Sequence, residues 1–271
     1  MIDNQLVMKY NKIAKESTYY YRLAEWTLLQ ELYAETWVTT STASYSIKNH
    51  SVCKSSGRLD AEYYQPKYDA LKQRIKSYSG GYYLLSEIAK TYRGDLIPDT
   101  LYCDDSTCSA YIRGADISSN KVESDKMVFI NNCFKKTNEI QCQNNDIVFA
   151  MIGSVGTAAR ITDEYVGAYL SNNLGVIRIS SEAISAEYLH LLLTSNSVGK
   201  FLFEQKEMRT AQPKISDKDI HDFPIPKLPK SIQEAISAKI QESFALKAES
   251  KRLLDEAKMM VEMEIEKGGV I

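Results

Sequence analysis

Hydrophobic positions recur at helical spacing at both ends of the chain. Near the N-terminus, apolar or aromatic side chains lie three or four positions apart, or at sums of those steps, at Leu6, Tyr10, Ile13, Tyr20, Ala24, Leu28 and Leu32. This spacing predicts one face of an amphipathic helix. Near the C-terminus, residues 232–267 contain no glycine or proline. A second stripe passes there through Ile232, Ile236, Ile240, Phe244 and Ala248, and continues with a shift through Leu254, Ala257, Val261 and Ile265.

The C-terminal stripe predicts a helical rod of about 54 Å at 1.5 Å per residue. A rod of that length cannot bury its apolar stripe against one small domain, so it needs a helical partner. The candidate positions for packing or partner docking on the two terminal helices are Leu28, Leu32, Ile236, Ile240, Phe244, Leu254 and Val261.

Between the terminal helices the pattern changes to short β-like runs broken by turn residues. Residues 146–152 and 174–179 predict strands, Pro66 predicts the start of a short helix, and Ser185 predicts a helix cap. Three prolines in residues 223–229 predict an extended hinge. We therefore expect an α+β fold in which the long terminal helices form an antiparallel, coiled-coil-like arm. Its predicted parts are a helical region and connector (1–56), a mixed domain (57–230) and a long helix (231–271).

The charge balance limits the classes of function. The 271 residues carry 33 Lys and Arg against 35 Asp and Glu, a net charge of −2. This excludes a strongly basic, histone-like binder but leaves room for a local basic patch. The sequence shows no secretory leader and no apolar run of membrane-spanning length, so we expect a cytoplasmic protein. Five widely spaced cysteines and three histidines have no zinc-ligand spacing, which predicts reduced thiols and no bound metal.

Catalytic patterns are not found in the sequence. An adenine methyltransferase needs a Gly-rich cofactor loop after a strand and a Pro-Pro motif, and neither occurs. Glu249 and Lys251 have nuclease-like spacing but lie in the charged C-terminal helix, where a solvated face is the better interpretation. Gly153 and Gly156 indicate a turn after a strand, or alternatively a loop whose N–H groups bind a phosphate. We expect no catalytic residue and no cofactor in this chain.

Cations of the mixed segment are interleaved with hydroxyl and amide side chains. Arg and Lys bind guanine edges and phosphates, and Asn and Gln bind adenine, so this combination is compatible with DNA binding. The candidate DNA-binding residues are Arg93, Arg113, Lys135, Lys136, Ser154, Thr157, Arg160, Arg209, Gln212 and Lys214.

Five motifs occur in order along the chain: Gly57–Tyr68, Asn145–Gly156, Leu170–Asn173, Thr210–Ile215 and Phe223–Pro226. Together they resemble the target-recognition domain of type I restriction-modification specificity subunits. Residues 23–32 are similar to the helical region that precedes such domains. Complete subunits of that family have two such domains, so this chain resembles a half-subunit with a single recognition domain.

The resemblance implies a non-catalytic subunit that reads one half of a bipartite site in double-stranded DNA. It implies docking of modification subunits, which carry S-adenosylmethionine and methylate adenine, and it is compatible with docking of restriction subunits. Pairing of two copies through their helices would then give a homodimer that reads a palindromic site. Two alternatives stay open: a coiled-coil protein-interaction adaptor, and a self-contained DNA methyltransferase or nuclease.

Overall fold

The computed structural model describes residues 4–32, 45–118, 120–122, 127–131, 141–208 and 210–266. The chain divides into two compact units, one of residues 1–31 and 231–271 and one of residues 32–230. The helices are α1 (Asn4–Leu32), α2 (His50–Ser56), α3 (Pro66–Lys76), α4 (Leu85–Ile88), α5 (Ala186–Thr194), α6 (Gly199–Lys206) and α7 (Lys230–Glu266).

The strands belong to the second unit and are short. They are β1 (Tyr82–Leu84), β2 (Ala89–Arg93), β3 (Tyr102–Cys103), β4 (Ser109–Ile112), β5 (Ile117–Ser118), β6 (Lys121–Val122), β7 (Val128–Ile130), β8 (Ile147–Ala150), β9 (Ala158–Arg160), β10 (Tyr169–Leu170), β11 (Leu174–Ile179) and β12 (Pro224–Pro226).

The first unit is an antiparallel pair of α1 and α7. The hydroxyl of Ser17 donates to the carbonyl oxygen of Ser243 at 2.8 Å, and the hydroxyl of Ser243 donates to the carbonyl oxygen of Ser17 at 2.8 Å. The ammonium of Lys9 lies 3.8 Å from a carboxylate oxygen of Glu249. Position increases along α1 as it decreases along α7, so the two helices run in opposite directions. The predicted α+β fold with an antiparallel helical arm is confirmed.

The buried side of α7 differs from the predicted stripe. Ile236 and Ile240 of α7 are fully buried. On α1, Leu28 is fully buried and Leu32 is nearly so. Three of the predicted positions are only partly buried, and these are Phe244, Leu254 and Val261. Buried positions that the apolar pattern missed are Gln233, Ser243, Ser250 and Leu253. Small polar residues can occupy a close helix contact because their hydroxyls bond to backbone carbonyls, and apolar spacing alone does not register them.

The core of the second unit is a four-stranded antiparallel sheet with strand order β2-β11-β8-β9. The runs predicted as strands form its two central members, β8 and β11, and all four residues of β8 are buried. Glycine is required at position 175 in β11 because the ring of Phe149 packs against its backbone. An added Cβ would lie 2.5 Å from that ring. A second four-stranded sheet has the order β10-β4-β7-β3 and pairs β10 parallel to β4.

Local signals placed several further elements correctly, with two corrections. Ser185 caps α5 by accepting a hydrogen bond from the amide of Tyr188 at 3.2 Å. Residues 224–226 are extended, as predicted, but they form a buried strand paired with β1 and not a hinge, since proline is tolerated in a short two-stranded pair. Part of the predicted connector, residues 50–56, forms helix α2 and ends at Gly57 in the left-handed region with φ 66°.

His190 is buried in α5, as its position in a leucine-rich helix predicted. Its Nε2 lies 3.4 Å from the carbonyl oxygen of Ala158 on β9. Burial lowers the pKa of His190 to about 4, with a smaller contribution from the charge of Arg160. The imidazole is therefore neutral at physiological pH and is part of the packing between α5 and the sheet.

Candidate functional site

Two of the motif loops pack directly against each other. The amide of Gly153 donates to the carbonyl oxygen of Pro213 at 2.9 Å, and the amide of Ile215 donates to the carbonyl oxygen of Met151 at 2.9 Å. The 208–214 loop is closed at its base, where Met208 and Lys214 exchange backbone hydrogen bonds of 2.8 and 3.3 Å. The tight turn after β8 and the 208–214 loop therefore form one continuous surface.

The turn after β8 is stabilised by backbone hydrogen bonds from its own amides. The amides of Val155, Gly156 and Thr157 donate to backbone carbonyls within the turn, at 2.9, 3.1 and 3.0 Å. Gly156 has φ 82°, and an added Cβ would lie 2.8 Å from the ring of Phe203, so glycine is required there. These amides are already occupied. The turn interpretation of the Gly-rich segment is confirmed, and its alternative as a nest of free phosphate-binding amides is wrong for those positions.

A third segment, residues 170–173, reaches the same surface from the end of β10. The guanidinium Nε of Arg93 donates to the carbonyl oxygen of Asn172 at 2.8 Å. The amide of Asp95 donates to the carbonyl oxygen of Leu170 at 2.8 Å. At Gly94 an added Cβ would lie 2.2 Å from the carbonyl oxygen of Ser171, so a side chain there would separate the two segments.

The turn after β8 and residues 171–173, together with side chains between Leu96 and Ala115, line an open pocket of about 520 Å³, called the polar pocket below. The 208–214 loop lies beside it, through the bond between Gly153 and Pro213. Its walls include Leu96, Arg113, Ser154, Asn172 and Asn173. Tyr102 and Tyr111 also line it, with ring centroids 5.6 Å apart. Hydroxyl, amide and guanidinium groups from separate parts of the chain therefore converge on one concave surface beside aromatic rings.

Two groups of the polar pocket are held rigidly. The guanidinium of Arg113 donates to both carboxylate oxygens of Asp116 at 3.0 Å each, and this pairing raises the pKa of Arg113. The hydroxyl of Tyr111 donates to the carbonyl oxygen of Asp95 at 3.0 Å. Burial raises the pKa of Tyr111, so it stays protonated and acts as a donor. A rigid guanidinium loses little conformational entropy on binding a ligand, and the fixed phenol ring supports the wall beside it.

The cations beside the polar pocket differ from Arg113 in their partners. Arg93 and Lys214 are exposed, and among the described residues no carboxylate lies within ion-pair distance of either one. Gln212 is exposed in the 208–214 loop. Among the predicted DNA-binding residues, Arg93, Arg113, Ser154, Gln212 and Lys214 are thus brought to one surface.

The remaining candidates lie elsewhere or outside the described residues. Arg160 is at the far end of the β8–β9 hairpin, opposite Ile147, where it bonds to Asn145 at 2.6 Å and lies 3.6 Å from Glu187. Thr157 is partly buried at the base of the turn. Lys135, Lys136 and Arg209 lie outside the residues that the structure describes.

The described residues favour recognition chemistry at this surface. In the described ranges no group of three His, Cys, Asp or Glu side chains is placed to hold a metal ion. Within the same ranges, no helix has both the length and the apolar character for a membrane span. The convergent donors and acceptors match what hydrogen bonding to base edges or phosphates requires.

Comparison with known proteins decides the family. A family model described as the type I restriction modification DNA specificity domain matches residues 82–258, which include both four-stranded sheets and every wall of the polar pocket. The chain belongs to this family of DNA specificity domains. No curated protein matches the sequence significantly.

Solved structures of type I restriction-modification systems are similar to this specificity domain and its helices. One is a chain from a study of complex assembly and conformational transition, with 12% identity and a TM-score of 0.46 over 96% of this chain. Others are the HsdS subunit of Thermoanaerobacter tengcongensis (14% identity, TM-score 0.44, 93% covered) and the S subunit of M. genitalium (13%, 0.47, 97%). This chain spans 56–57% of the length of those chains.

Several pocket residues of the specificity domain were missed as site candidates. Asn172 and Asn173 lie in a motif that the sequence did single out, and their amides directly before a buried strand were a usable signal. Leu96 had no such signal, because an exposed leucine in a loop is common. Tyr102 and Tyr111 look like ordinary core residues of strands until the pocket between the loops is seen.

Proposed function

We propose that the chain is a non-catalytic DNA sequence-specificity subunit of a type I restriction-modification complex and that it reads one half of a bipartite site. The observation that carries this proposal is the convergence of two motif segments, 145–156 and 170–173, with side chains between Leu96 and Ala115 on the polar pocket, inside a domain of the DNA specificity family. A binding surface built from distant segments of one rigid domain is typical of recognition loops on a scaffold.

The side chains that line the polar pocket and those beside it supply the chemistry of base and phosphate recognition. Arg93 and Lys214 are cations of the kind that bind guanine edges or phosphates, and Asn173 and Gln212 can bind adenine through paired amide contacts. Arg113, held by Asp116, supplies rigid hydrogen-bond donors. This set needs no reacting group, which fits a subunit that selects DNA for a partner enzyme.

The net charge of −2 limits how much affinity the chain supplies alone. Most affinity for DNA comes from phosphate contacts, which require many cations. We infer that modification subunits, and restriction subunits where present, supply that affinity in a cytoplasmic assembly. The modification subunit supplies S-adenosylmethionine and transfers its methyl group to adenine, and this chain supplies the preference for one sequence.

The helical arm fits a role in assembly. α7 has 37 residues and a length of about 55 Å, which exceeds the spacing of about 34–36 Å between half-sites one helical turn apart. Trp26 and Tyr19 of α1 are more than half exposed and give the arm apolar surface for a partner. We infer that two copies pair through their helices, and a two-fold pair of identical reading domains requires a palindromic, bipartite DNA site.

The test is co-expression of the chain with its cognate methyltransferase subunit, followed by mapping of methylated adenines across the host genome. We expect methylation at one interrupted, palindromic motif. The matched control is the same pair carrying Arg93→Gln together with Gln212→Ala, for which the motif should be relaxed or lost. Methylation without any sequence preference in the wild-type pair would refute the proposal.

Three further observations separate the proposed function from its two alternatives. Binding of S-adenosylmethionine by the isolated chain would favour the methyltransferase alternative. Retention of partner proteins without any DNA affinity in the assembled complex would favour the coiled-coil adaptor. A steep fall of DNA affinity with rising salt would argue against that adaptor, because it reports contacts to phosphates.

A further inference from the structure

The motif at residues 57–68 lies outside the polar pocket, yet it contacts the helix that leads into the 208–214 loop. Arg58 is its central residue. One guanidinium nitrogen donates to the carbonyl oxygen of Lys206 at 3.1 Å, and another donates to the carbonyl oxygen of Glu207 at 3.0 Å. The first is the last carbonyl of α6, which ends at Lys206, and the second belongs to the C-cap residue of that helix.

Carbonyls at a helix C-terminus have no partner within the helix and carry partial negative charge. A guanidinium placed there satisfies two of them at once. Lys206 and Glu207 directly precede Met208, the residue whose backbone closes the 208–214 loop through Lys214. Arg58 therefore fixes the point from which the loop departs.

Arg58 is itself fixed by its neighbours. Its Nε and one terminal nitrogen donate to the two carboxylate oxygens of Asp60 at 2.6 and 2.7 Å. Its Cζ lies 4.9 Å from the ring centroid of Tyr63, and its carbonyl oxygen accepts from the hydroxyl of Tyr64 at 2.8 Å. Four of the five guanidinium N–H groups are thus used inside the domain. Arg58 has little capacity left to bind DNA directly.

Two further contacts join the same motif to α6. The side-chain amide of Gln205 donates to the carbonyl oxygen of Tyr63 at 3.3 Å. The ammonium of Lys67 lies 3.3 Å from a carboxylate oxygen of Glu204. α6 is therefore held along its last turn, and the position of that turn reaches the polar pocket through the bond between Gly153 and Pro213.

We propose that Arg58 and Asp60, supported by Tyr63 and Tyr64, form a clamp that positions the 208–214 loop for reading DNA. The clamp acts through backbone carbonyls and not through contact with the nucleic acid, so Arg58 is a positioning residue. This inference rests on the proposed function for its effect on DNA, but the mechanical link between the clamp and the loop does not.

The mechanical link is tested by hydrogen exchange on the full chain, read in peptides that cover residues 207–215 and 151–156. Arg58→Gln should speed exchange there by about tenfold, since the loop amides lose their fixed anchor, and should leave β11 unchanged. Arg58→Lys keeps the charge but lacks the planar fork, so its rates should lie between those of wild type and Arg58→Gln. Unchanged exchange in the loop peptides of Arg58→Gln would overturn the clamp.

The matched control is Arg178→Gln, which removes a guanidinium of the same kind. Arg178 also pairs with both oxygens of an aspartate, Asp146, and also donates to a carbonyl oxygen, that of Gln141. It lies on β11, away from the 208–214 loop, so it should lower the melting temperature without speeding loop exchange. Equal loop exchange in both variants would mean general loosening of the domain and would count against the clamp.

The effect on DNA is tested in the complex with the methyltransferase subunit, using a 40-base-pair duplex pool with a randomised centre as the probe. Arg58→Gln should reduce the enrichment of the preferred motif by about tenfold or more while keeping affinity for the unselected pool, because only base contacts depend on the loop position. If Arg58→Gln folds poorly, Asp60→Asn weakens the same clamp less severely, and it should also reduce the enrichment of the preferred motif.

The outcomes separate the two hypotheses. Faster loop exchange together with a preserved motif would overturn the role in reading. If the wild-type complex enriched no motif, the proposed function would fail, and the exchange rates would still decide whether the clamp holds the loop.

Discussion

His190 gives the most direct physical test of the packed domain. Its imidazole is fully buried in α5, and its pKa is lowered from 6.5 to about 4 by burial. In the unfolded chain the same side chain titrates near 6.5. As pH falls through 6.5, the unfolded state therefore binds a proton that the folded state rejects until about pH 4, and the free energy of unfolding must decrease.

The magnitude follows from the shift. The lowering of the pKa from 6.5 to about 4 corresponds to about 3 kcal/mol if the full window is crossed. Between pH 7.5 and pH 5.0 the expected loss from this residue is about 2 kcal/mol. For a chain of this size that equals a fall of roughly 4–8 °C in melting temperature.

The assay compares wild type with His190→Gln by thermal unfolding at pH 7.5, 6.0 and 5.0. Glutamine stays neutral and can donate to the carbonyl oxygen of Ala158, so its melting temperature should fall by about 4–8 °C less than that of wild type over the same interval. His50→Gln is the control, because His50 is exposed at the start of α2 and its variant should follow the wild-type curve. Parallel pH curves for wild type and His190→Gln would refute the reasoning.

Three other changes test the reading surface, the close backbone approach and the arm. Lys214→Gln should weaken binding of the assembled complex to all duplexes. The dependence of its DNA-binding constant on salt concentration should become shallower by about one in log–log slope, as expected for the loss of one phosphate contact. An unchanged slope in anisotropy titrations would exclude that contact. Gly94→Ala should destabilise the domain by more than about 2 kcal/mol, because the new Cβ would collide with the carbonyl oxygen of Ser171. The control is Gly114→Ala, whose Cβ would have no atom within 4 Å and which should leave the melting temperature unchanged. Ile240→Asp should disrupt the helix pair by about 3 kcal/mol or more and reduce partner co-purification, and light scattering with an unaltered mass and full co-purification would contradict this.

Local rules predicted those elements whose cause is local. Ser185 was identified as a cap because a serine hydroxyl before a helix can accept a hydrogen bond from the amide three residues along. Strands β8 and β11 were identified because a short apolar run bounded by turn residues is typical of a buried strand. The buried serines of the arm were not predicted. Ser17 and Ser243 are 226 positions apart, and only the antiparallel pairing of the helices gives their hydroxyls a partner.

The polar pocket was predictable as a set of motifs but not as a surface. Residues 153–154, 170–173 and 212–214 were each recognised, yet nothing in their order along the chain fixes which of them touch. Arg58 shows the same limit more clearly. Its charge and its neighbour Asp60 are visible in the sequence. The partners that link it to the 208–214 loop are backbone carbonyls 148 and 149 positions away, and a backbone carbonyl has no sequence signal.

The charge of the chain acquires its meaning only when the cations are sorted by partner. Arg113, Arg160 and Arg178 have carboxylates within 4.0 Å, so their charges are largely used to hold the domain together. Arg93 and Lys214 lie beside the polar pocket, and in the described part of the chain neither has a carboxylate within that distance. An ion-paired arginine must give up or share its carboxylate before it binds a phosphate, whereas an unpaired cation exchanges only water and counterions. A nearly neutral chain can therefore select DNA through a small number of unpaired cations, provided that partner subunits supply the bulk of the affinity.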